Sequence, residues 1–269
     1  MTQFTNKTFV VTGGTDGIGR ALVLNLLALG ANVVTCGRSQ QKILALEAEA
    51  PMGKICVLNA DVSVEKDCER LVDHAVKMFG GIDVLINNAG ISMRALFQDL
   101  DLEVFRKVMD TNFWGTVFAT KYCLPAILAS KGSVIGISSI NGYRGTPART
   151  AYTASKYAMN GFFESLRTEV MKKGVHVLVV APGFTSSNIR NTALTADGSS
   201  QGESPRDESK MMTSEEVAIR ILRATTSRKR DLVLTTQGKL AVFLNKWIPG
   251  ILDGIVYNQM AKEKDSPFN

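Results

Sequence analysis

Cysteine and histidine are scarce in this chain, and the few present are scattered. Of 269 residues, four are Cys and two are His. Cys36, Cys56, Cys68 and Cys123 form no C-x-x-C pair and show no metal-ligand spacing. The pattern argues against a disulfide framework and against a clustered metal site. It reads as reduced core thiols in a cytoplasmic protein, with Cys36, Cys56 and Cys123 inside apolar runs. His74 and His176 stand alone with no partner signal and read as structural. No hydrophobic run is long enough to span a bilayer. The N-terminus, MTQFTNKTFVV, enters a strand almost at once, so no signal peptide is expected. The net charge of +6 comes without a basic patch interleaved with aromatics, which argues against nucleic acid and reads as a solvated surface.

What is present is ordinary globular material. The chain is 45% hydrophobic and 21% charged, enough for one large core. Short apolar runs alternate with helical stretches. Strands are expected at Phe9–Val11, Asn32–Cys36, Lys54–Asn59, Val84–Ile86, Val134–Ser138, His176–Ala181 and Leu232–Leu234. Helices are expected at Val64–Phe79, Leu102 to about Ser130, Thr150–Lys173 and Ser214–Ala224, the last with a capping signature in TSEE. Such alternation predicts an α/β fold, a single doubly wound domain with a parallel sheet of about seven strands and helices on both faces.

The right-handed crossovers of such a sheet bring every strand's carboxyl end to one edge. Gly13, Arg38, Asp61, Asn87, Asn88, Ser139, Pro182 and Gly183 all fall there. TGGTDGIG follows the first strand and opens the first helix. Its glycines let backbone approach a pyrophosphate, and the helix N-terminus presents free N–H groups to it. The second strand ends in Gly37 with Arg38 next, where a carboxylate often binds a ribose 2′-hydroxyl. Arginine there favours the 2′-phosphate of NADP over NAD. Asp16, in the glycine turn, acts in the opposite sense. Asp61 reads equally as an adenine contact or as a cap for the following helix. The NNAG tetrad after the fourth strand reads equally as ligand contact or turn structure. Asn112 is a polar residue in a core-facing run and requires buried partners.

The chain's centre is SSINGYRGTPARTAYTASK. Tyr152 and Lys156 are four residues apart on one helix, so they share a face. A nearby ammonium favours phenolate and makes the tyrosine a better acid/base near neutral pH. Ser139, at a strand end upstream, is placed to hydrogen-bond a substrate oxygen.

Taken together, TGGTDGIG, the Asp61-Val62 pair, NNAG, the TNFWGT asparagine, Ser139 and YTASK resemble the short-chain dehydrogenase/reductase family over roughly residues 6–236. The spacing is similar to its compact oxidoreductase branch, with a Rossmann domain over 1–236. The resemblance implies that Ser139 holds the substrate oxygen and that Tyr152 passes the proton. It implies that Lys156 lowers the tyrosine pKa and binds nicotinamide ribose, and that Asn112 links Lys156 to solvent through a water on its backbone. It implies cofactor contacts at Gly13, Thr15, Asp16, Gly17, Ile18 and Gly19; at Arg38 and Ser39; and at Asp61 and Val62. Further contacts are implied at Asn88, Ala89 and Gly90, at Tyr152 and Lys156, and at Pro182, Gly183, Thr185 and Ser187. Thr185 and Ser187 depart from the family's usual aliphatic residue and threonine, though Ser187 keeps a hydroxyl.

Two stretches lie outside that pattern. Residues 190–212 are polar and rich in Ser and Gly, and by resemblance form a mobile substrate lid. Residues 237–269 are apolar, broken by Pro249 and Gly250 and flanked by lysines. They read as a pocket wall, a subunit interface, a layer on the core or a membrane-surface segment, and are similar to the tails of hydroxysteroid-type reductases. Met93, Phe184, Leu240, Phe243 and Trp247 suit a bulky, steroid- or lipid-like ketone or alcohol, with Arg94 or Arg149 for a negative group. Pairing of the two long helices across a two-fold axis predicts a homodimer or homotetramer. The expected function is NADP(H)-dependent hydride transfer to or from a carbonyl or secondary alcohol. The competing readings are a non-catalytic NADP-binding sensor or scaffold and an interaction protein working through its apolar tail.

Overall fold

The computed structural model describes residues 4–204, 207–208, 211–263 and 266–268. Seven parallel strands form one sheet. In chain order they are β1 (Thr8–Val11), β2 (Asn32–Gly37), β3 (Ile55–Asn59), β4 (Val84–Asn87), β5 (Ser133–Ile137), β6 (His176–Ala181) and the last strand, Asp231–Val233. The order across the sheet is β3-β2-β1-β4-β5-β6 and then the last strand. The chain builds outward from β1 to β3, then returns to place β4 against β1's other side. That reversal opens a crevice at the carboxyl ends of β1 and β4.

The central strands are apolar on both faces because helices cover both. On one face α1 (Gly17–Ala28), α2 (Gln40–Glu49) and the later helix Ser214–Thr226 bury Leu22, Leu26, Leu46 and Ile221 against Phe9, Ile135 and Leu178. On the other, α3 (Glu65–Phe79), α5 (Gly115–Ser130) and α6 (Thr150–Val170) bury Leu71, Ile127 and Phe163 against Val10, Leu85 and Val134. Complete burial of a side chain such as Phe163 contributes roughly 1.5–3 kcal/mol. Cys36, Cys68 and Cys123 belong to this second core. Burial pushes the Cys36 thiol up to about 11 and the Cys68 thiol up to about 12, so both are protonated core groups.

Helix boundaries follow local chemistry. Asp16 caps α1 through Gly17 N, and Ser39 caps α2 through Lys42 N. Gly80, with φ of 80°, closes α3. Thr213 and Glu216 form a reciprocal capping box for Ser214–Thr226. His176 is locked in place, with Nδ1 3.2 Å from Ser133 Oγ and Nε2 2.7 Å from the Lys229 carbonyl.

The stretch expected as one helix from Leu102 divides. It runs as α4 (Leu102–Met109), a π-helical turn at Asp110–Trp114, and α5. Asn112 lies inside that π turn and is fully buried. Residues 190–212 also differ from a structureless cover in their described part. Leu194 bridges to Met93 and Ser200, and Arg94 N donates to the Leu194 carbonyl at 2.8 Å. Arg190 is buried and donates to the Thr185 carbonyl at 2.7 Å and to Glu208 Oε1 at 2.8 Å. Short polar side chains close the turn themselves, with Thr195 and Ser199 both bonded to Asp197. Residues 205, 206, 209 and 210 of that stretch lie outside the described residues.

Two short strands, β7 (Thr185–Ser186) and β8 (Met212–Thr213), pair beside the main sheet. They precede α7 (Ser214–Thr226) and β9 (Asp231–Val233). Helices α8 (Thr236–Leu244) and α9 (Pro249–Ala261) then rest on the loop after β5. Gly238 approaches Ile140 so closely that a Cβ would fall 2.6 Å from its Cδ1. Arg144 donates to Asn245 Oδ1 and Asp253 Oδ1, at 3.1 and 2.5 Å. Among the described residues, no helix is long and apolar enough to cross a membrane.

Candidate active site

The glycine turn and the loop after β4 form one unit. Gly13 has φ of 66°, and an added Cβ would meet Ala89 Cα at 3.0 Å. A Cβ on Gly19 would lie 2.3 Å from the Gly13 carbonyl oxygen, a backbone atom with no room to yield. Thr12 Oγ1 accepts from both Asn88 N and Ala89 N at 3.0 Å. Asn88 Nδ2 returns bonds to the Thr12 and Gly13 carbonyls at 3.0 and 3.1 Å. Asn88 is therefore spent on holding two loops together, and Asn87 donates to Thr120 Oγ1. The N-terminal N–H groups of Ile18 and Gly19 have no partner within their helix, so this end of α1 suits phosphate.

The adenosine side carries paired charges. The Asp16 carboxylate forms an ion pair with Lys42 on α2 and accepts from Gly17 N at 2.8 Å. Partial burial works to raise the Asp16 pKa. The Lys42 ammonium, the Gly17 N–H and the Asn188 amide outweigh it and hold the carboxyl below its usual range. Arg38 Nη1 stands 3.7 Å from Asp61 Oδ2 on the open rim. Asp61 does not cap α3, whose N-cap Val64 has no side-chain bond. Its Oδ1 instead accepts from Ser63 N and Oγ, at 3.0 and 2.7 Å. Val62 packs under Gly115, where a Cβ would lie 2.8 Å from Val62 Cγ2. Thr15 fills the space beside Gly37.

The reacting side gathers at the ends of β5 and β6. Ser139 follows β5, extended at φ −165°, and its Oγ accepts from Asn141 N at 3.1 Å. The Ser139 hydroxyl lies beside the Tyr152 side chain and works to lower its pKa. Burial raises the Tyr152 pKa, and the Ser139 hydroxyl and the Arg149 and Arg190 guanidiniums oppose it without cancelling it. Lys156 lies on the same helix as Tyr152, as its spacing predicts. Its Nζ lies 5.7 Å from the centre of the Tyr152 ring, over its face. It donates to the Ile137 carbonyl at 2.9 Å, and burial pushes its own pKa down to about 7.

Asn112 Oδ1 accepts from Ile91 N at 2.8 Å, and its Nδ2 donates to Ile91 O and Ser155 Oγ. Its backbone carbonyl accepts from Thr116 Oγ1 at 2.8 Å. A Cβ on Gly90 would stand 3.2 Å from Asn112 Oδ1 and 3.6 Å from Lys156 Nζ. Glycine thus keeps open the space in front of the ammonium. Pro182 O accepts from Ile140 N, and Gly183 packs against Thr235. Thr185 is buried, with its hydroxyl on the Gly183 carbonyl at 3.2 Å. Ser187 faces Gly17, 3.5 Å from where its Cβ would be. Ser39 is engaged in capping α2.

Thr12, Lys42, Ser155 and Asn188 were not singled out from sequence. Thr12, directly before the glycines, was the one with a local signal. The other three meet their partners only through the fold. Of the proposed apolar substrate contacts, Met93 is wholly buried in a separate small core with Val104 and Leu194. Phe184, Leu240, Phe243 and Trp247 are exposed. Arg94 pairs with Glu263 at 3.3 Å, both side chains buried, and Arg149 donates to Ser92 Oγ at 2.7 Å.

This arrangement defines a class of protein: oxidoreductases that hold a nicotinamide dinucleotide along the carboxyl edge of a doubly wound sheet. A sequence model of the family described as short chain dehydrogenase matches residues 7–197. The chain belongs to that family. It is 36% identical to the Bos taurus protein named dehydrogenase/reductase SDR family member 7B, over 97% of this chain and 83% of that protein. It is 32% identical to the Drosophila melanogaster dehydrogenase/reductase SDR family protein 7-like, over 97% of this chain and 82% of that one. A short chain dehydrogenase/reductase from Burkholderia phymatum, solved in complex with NAD, superposes with a TM-score of 0.82 at 20% identity. That match covers 94% of this chain and 97% of the other.

Proposed function

We propose that this oxidoreductase transfers hydride between NADP(H) and the carbonyl or secondary-alcohol carbon of a bulky apolar substrate. The observation that carries the catalytic reading is the convergence of Ser139 and Tyr152 with the buried Lys156, whose Nζ stands 5.7 Å from the Tyr152 ring centre. Bound in the crevice, the nicotinamide supplies or accepts the hydride. In reduction, the Ser139 and Tyr152 hydroxyls donate to the carbonyl oxygen and favour charge on it. The Tyr152 proton then passes to that oxygen as the alcohol forms. Lys156, anchored on Ile137 O and facing Gly90, orients ribose. Asn112 holds the Ile91 loop and Ser155 in register with α6.

Preference for NADP is supported by two cations at the adenosine rim. Lys42 neutralises Asp16, the one group that argued for NAD, and Arg38 stands at the end of β2. The B. phymatum relative binds NAD, so the preference belongs to this chain's own rim. The apolar extension supports a steroid- or lipid-like substrate and peripheral membrane contact. A dimer or tetramer through α5 and α6 is supported by the outward Trp114, stacked on Phe118 at 5.7 Å.

Titration with NADPH and NADH, followed by cofactor fluorescence, tests the cofactor reading. Tighter NADPH is expected, and a preference for NADH would overturn it. Tyr152→Phe is expected to lower kcat by roughly 10²–10⁴-fold with the NADPH Kd unchanged. Preserved turnover at saturation would remove Tyr152 from the proton path. Faster turnover of small polar ketones than of steroid or long-chain ketones would sink the substrate reading.

A further inference from the structure

A cleft of about 560 Å³ lies between α7, the end of β9 and the start of α8. Arg220, Arg223, Lys229 and Lys239 line it, together with the hydroxyls of Ser227 and Thr235. No carboxylate is among its lining residues. Among the described residues, no Asp or Glu forms an ion pair with any of the four cations. At its floor Thr235 holds a φ of 65°, a left-handed conformation unusual for a β-branched residue, and caps α8 through Gly238 N. Four unpaired cations and a helix N-terminus around one cleft are arranged for a multiply charged anion.

The cleft is continuous with an apolar ridge. Lys239 lies one turn before Phe243 on α8, so the two share a face. Leu240 and Phe243 on α8, Trp247 between the helices, and Ile251 and Ile255 on α9 are all exposed, Trp247 at 72%. Elsewhere around α9, Leu252 and Met260 are buried. A helix apolar on both faces has a second apolar neighbour to meet. The two described carboxylates of this region are already paired with arginines of the body, Asp253 with Arg144 and Glu263 with Arg94. Lys239, Lys246 and Lys262 are exposed and flank the ridge.

Resting on the reading of the extension as a membrane-contact segment, we propose that the cleft binds the phosphate headgroup of an anionic lipid. The ridge of α8 and α9 then lies in the bilayer interface, with Trp247 at headgroup depth and the lysines at the rim. Charge selects this occupant over a second copy, which would set Lys239, Lys246 and Lys262 against the same cations. Because α8 stands on Ile140 and Thr235 stands on Gly183, docking brings the Ser139 side of the site to the membrane.

The test is cosedimentation of the full chain with phosphatidylcholine vesicles, with and without phosphatidylserine. Binding is expected only with phosphatidylserine. Arg220→Glu with Arg223→Glu, and separately Phe243→Ser with Trp247→Ser, should each weaken it roughly tenfold or more. Unchanged NADPH-dependent turnover of a soluble ketone without vesicles in the arginine variant, and an unchanged thermal unfolding midpoint in the apolar variant, serve as the folding controls. Binding to both kinds of vesicle that the arginine variant leaves intact overturns the headgroup cleft while keeping the membrane reading. No binding to either overturns both. Tight binding of glycerol phosphate in solution, unaffected by Trp247→Ser, assigns the cleft to a soluble phosphate and overturns the lipid source. A dimer that Trp247→Ser converts to monomer without lipid assigns the ridge to a second copy, and overturns the proposal.

Discussion

Lys156 shows how far a residue's setting departs from its spacing. It is 3% exposed and donates to Ile137 O and to Met159 Sδ. Burial takes its pKa from 10.5 to about 7. The unfolded chain therefore binds more protons than the folded one between those two values, and stability rises with pH across that window. The penalty is complete below about 7 and fades as pH climbs towards 10.5. Lys156→Met removes it. Thermal unfolding of both proteins from pH 6 to 10 should show the wild type gaining on the variant above about pH 7, with no change below. A constant difference throughout would mean that the folded ammonium titrates normally. Tyr152 belongs to the same scale: burial raises its pKa, and the Ser139 hydroxyl and the Arg149 and Arg190 guanidiniums oppose that rise.

Among the elements, the π turn at Asp110–Trp114 has the most direct bearing on the site. Without it, α4 and α5 would be one helix and Asn112 would point elsewhere. With it, Asn112 ties the Ile91 backbone to Ser155 on α6. Asn112→Ala strands the buried Ile91 N–H and Ser155 hydroxyl. It should cost roughly 1–3 kcal/mol in urea unfolding and lower kcat as well. An unchanged midpoint would show those bonds to be dispensable. The periodicity of the sequence could not reveal the turn, because one extra residue barely disturbs an apolar pattern over thirty. The strands were legible for the opposite reason. Short β-branched runs between glycine and polar turns leave few alternatives, and their predicted limits agree with the structure to within a residue or so.

At the scale of the whole molecule, two arginines of the body hold the extension among the described residues. Arg144 reaches Asn245 and Asp253, and Arg94 reaches Glu263 in a buried pair. Removing one charge of a buried pair weakens its hold. Glu263→Gln should therefore speed tryptic cleavage after Lys246 and Lys262 several-fold, while the melting of the main sheet changes little. Unaltered cleavage would show that the pair does not hold α9. The sequence alone determined the α/β alternation, the carboxyl-edge placement of the glycine turn, Ser139, Tyr152 and Pro182-Gly183, and with them the family. Those follow from periods and spacings that are local along the chain. Tertiary structure alone decided which charges meet. Lys42 neutralises Asp16, Thr12 holds Asn88, Arg190 closes on Glu208, and four cations from α7, the turn after it and α8 share one cleft. Each of these joins chain segments that no local pattern connects, and a charge's effect falls off over a few ångströms of space, not of sequence.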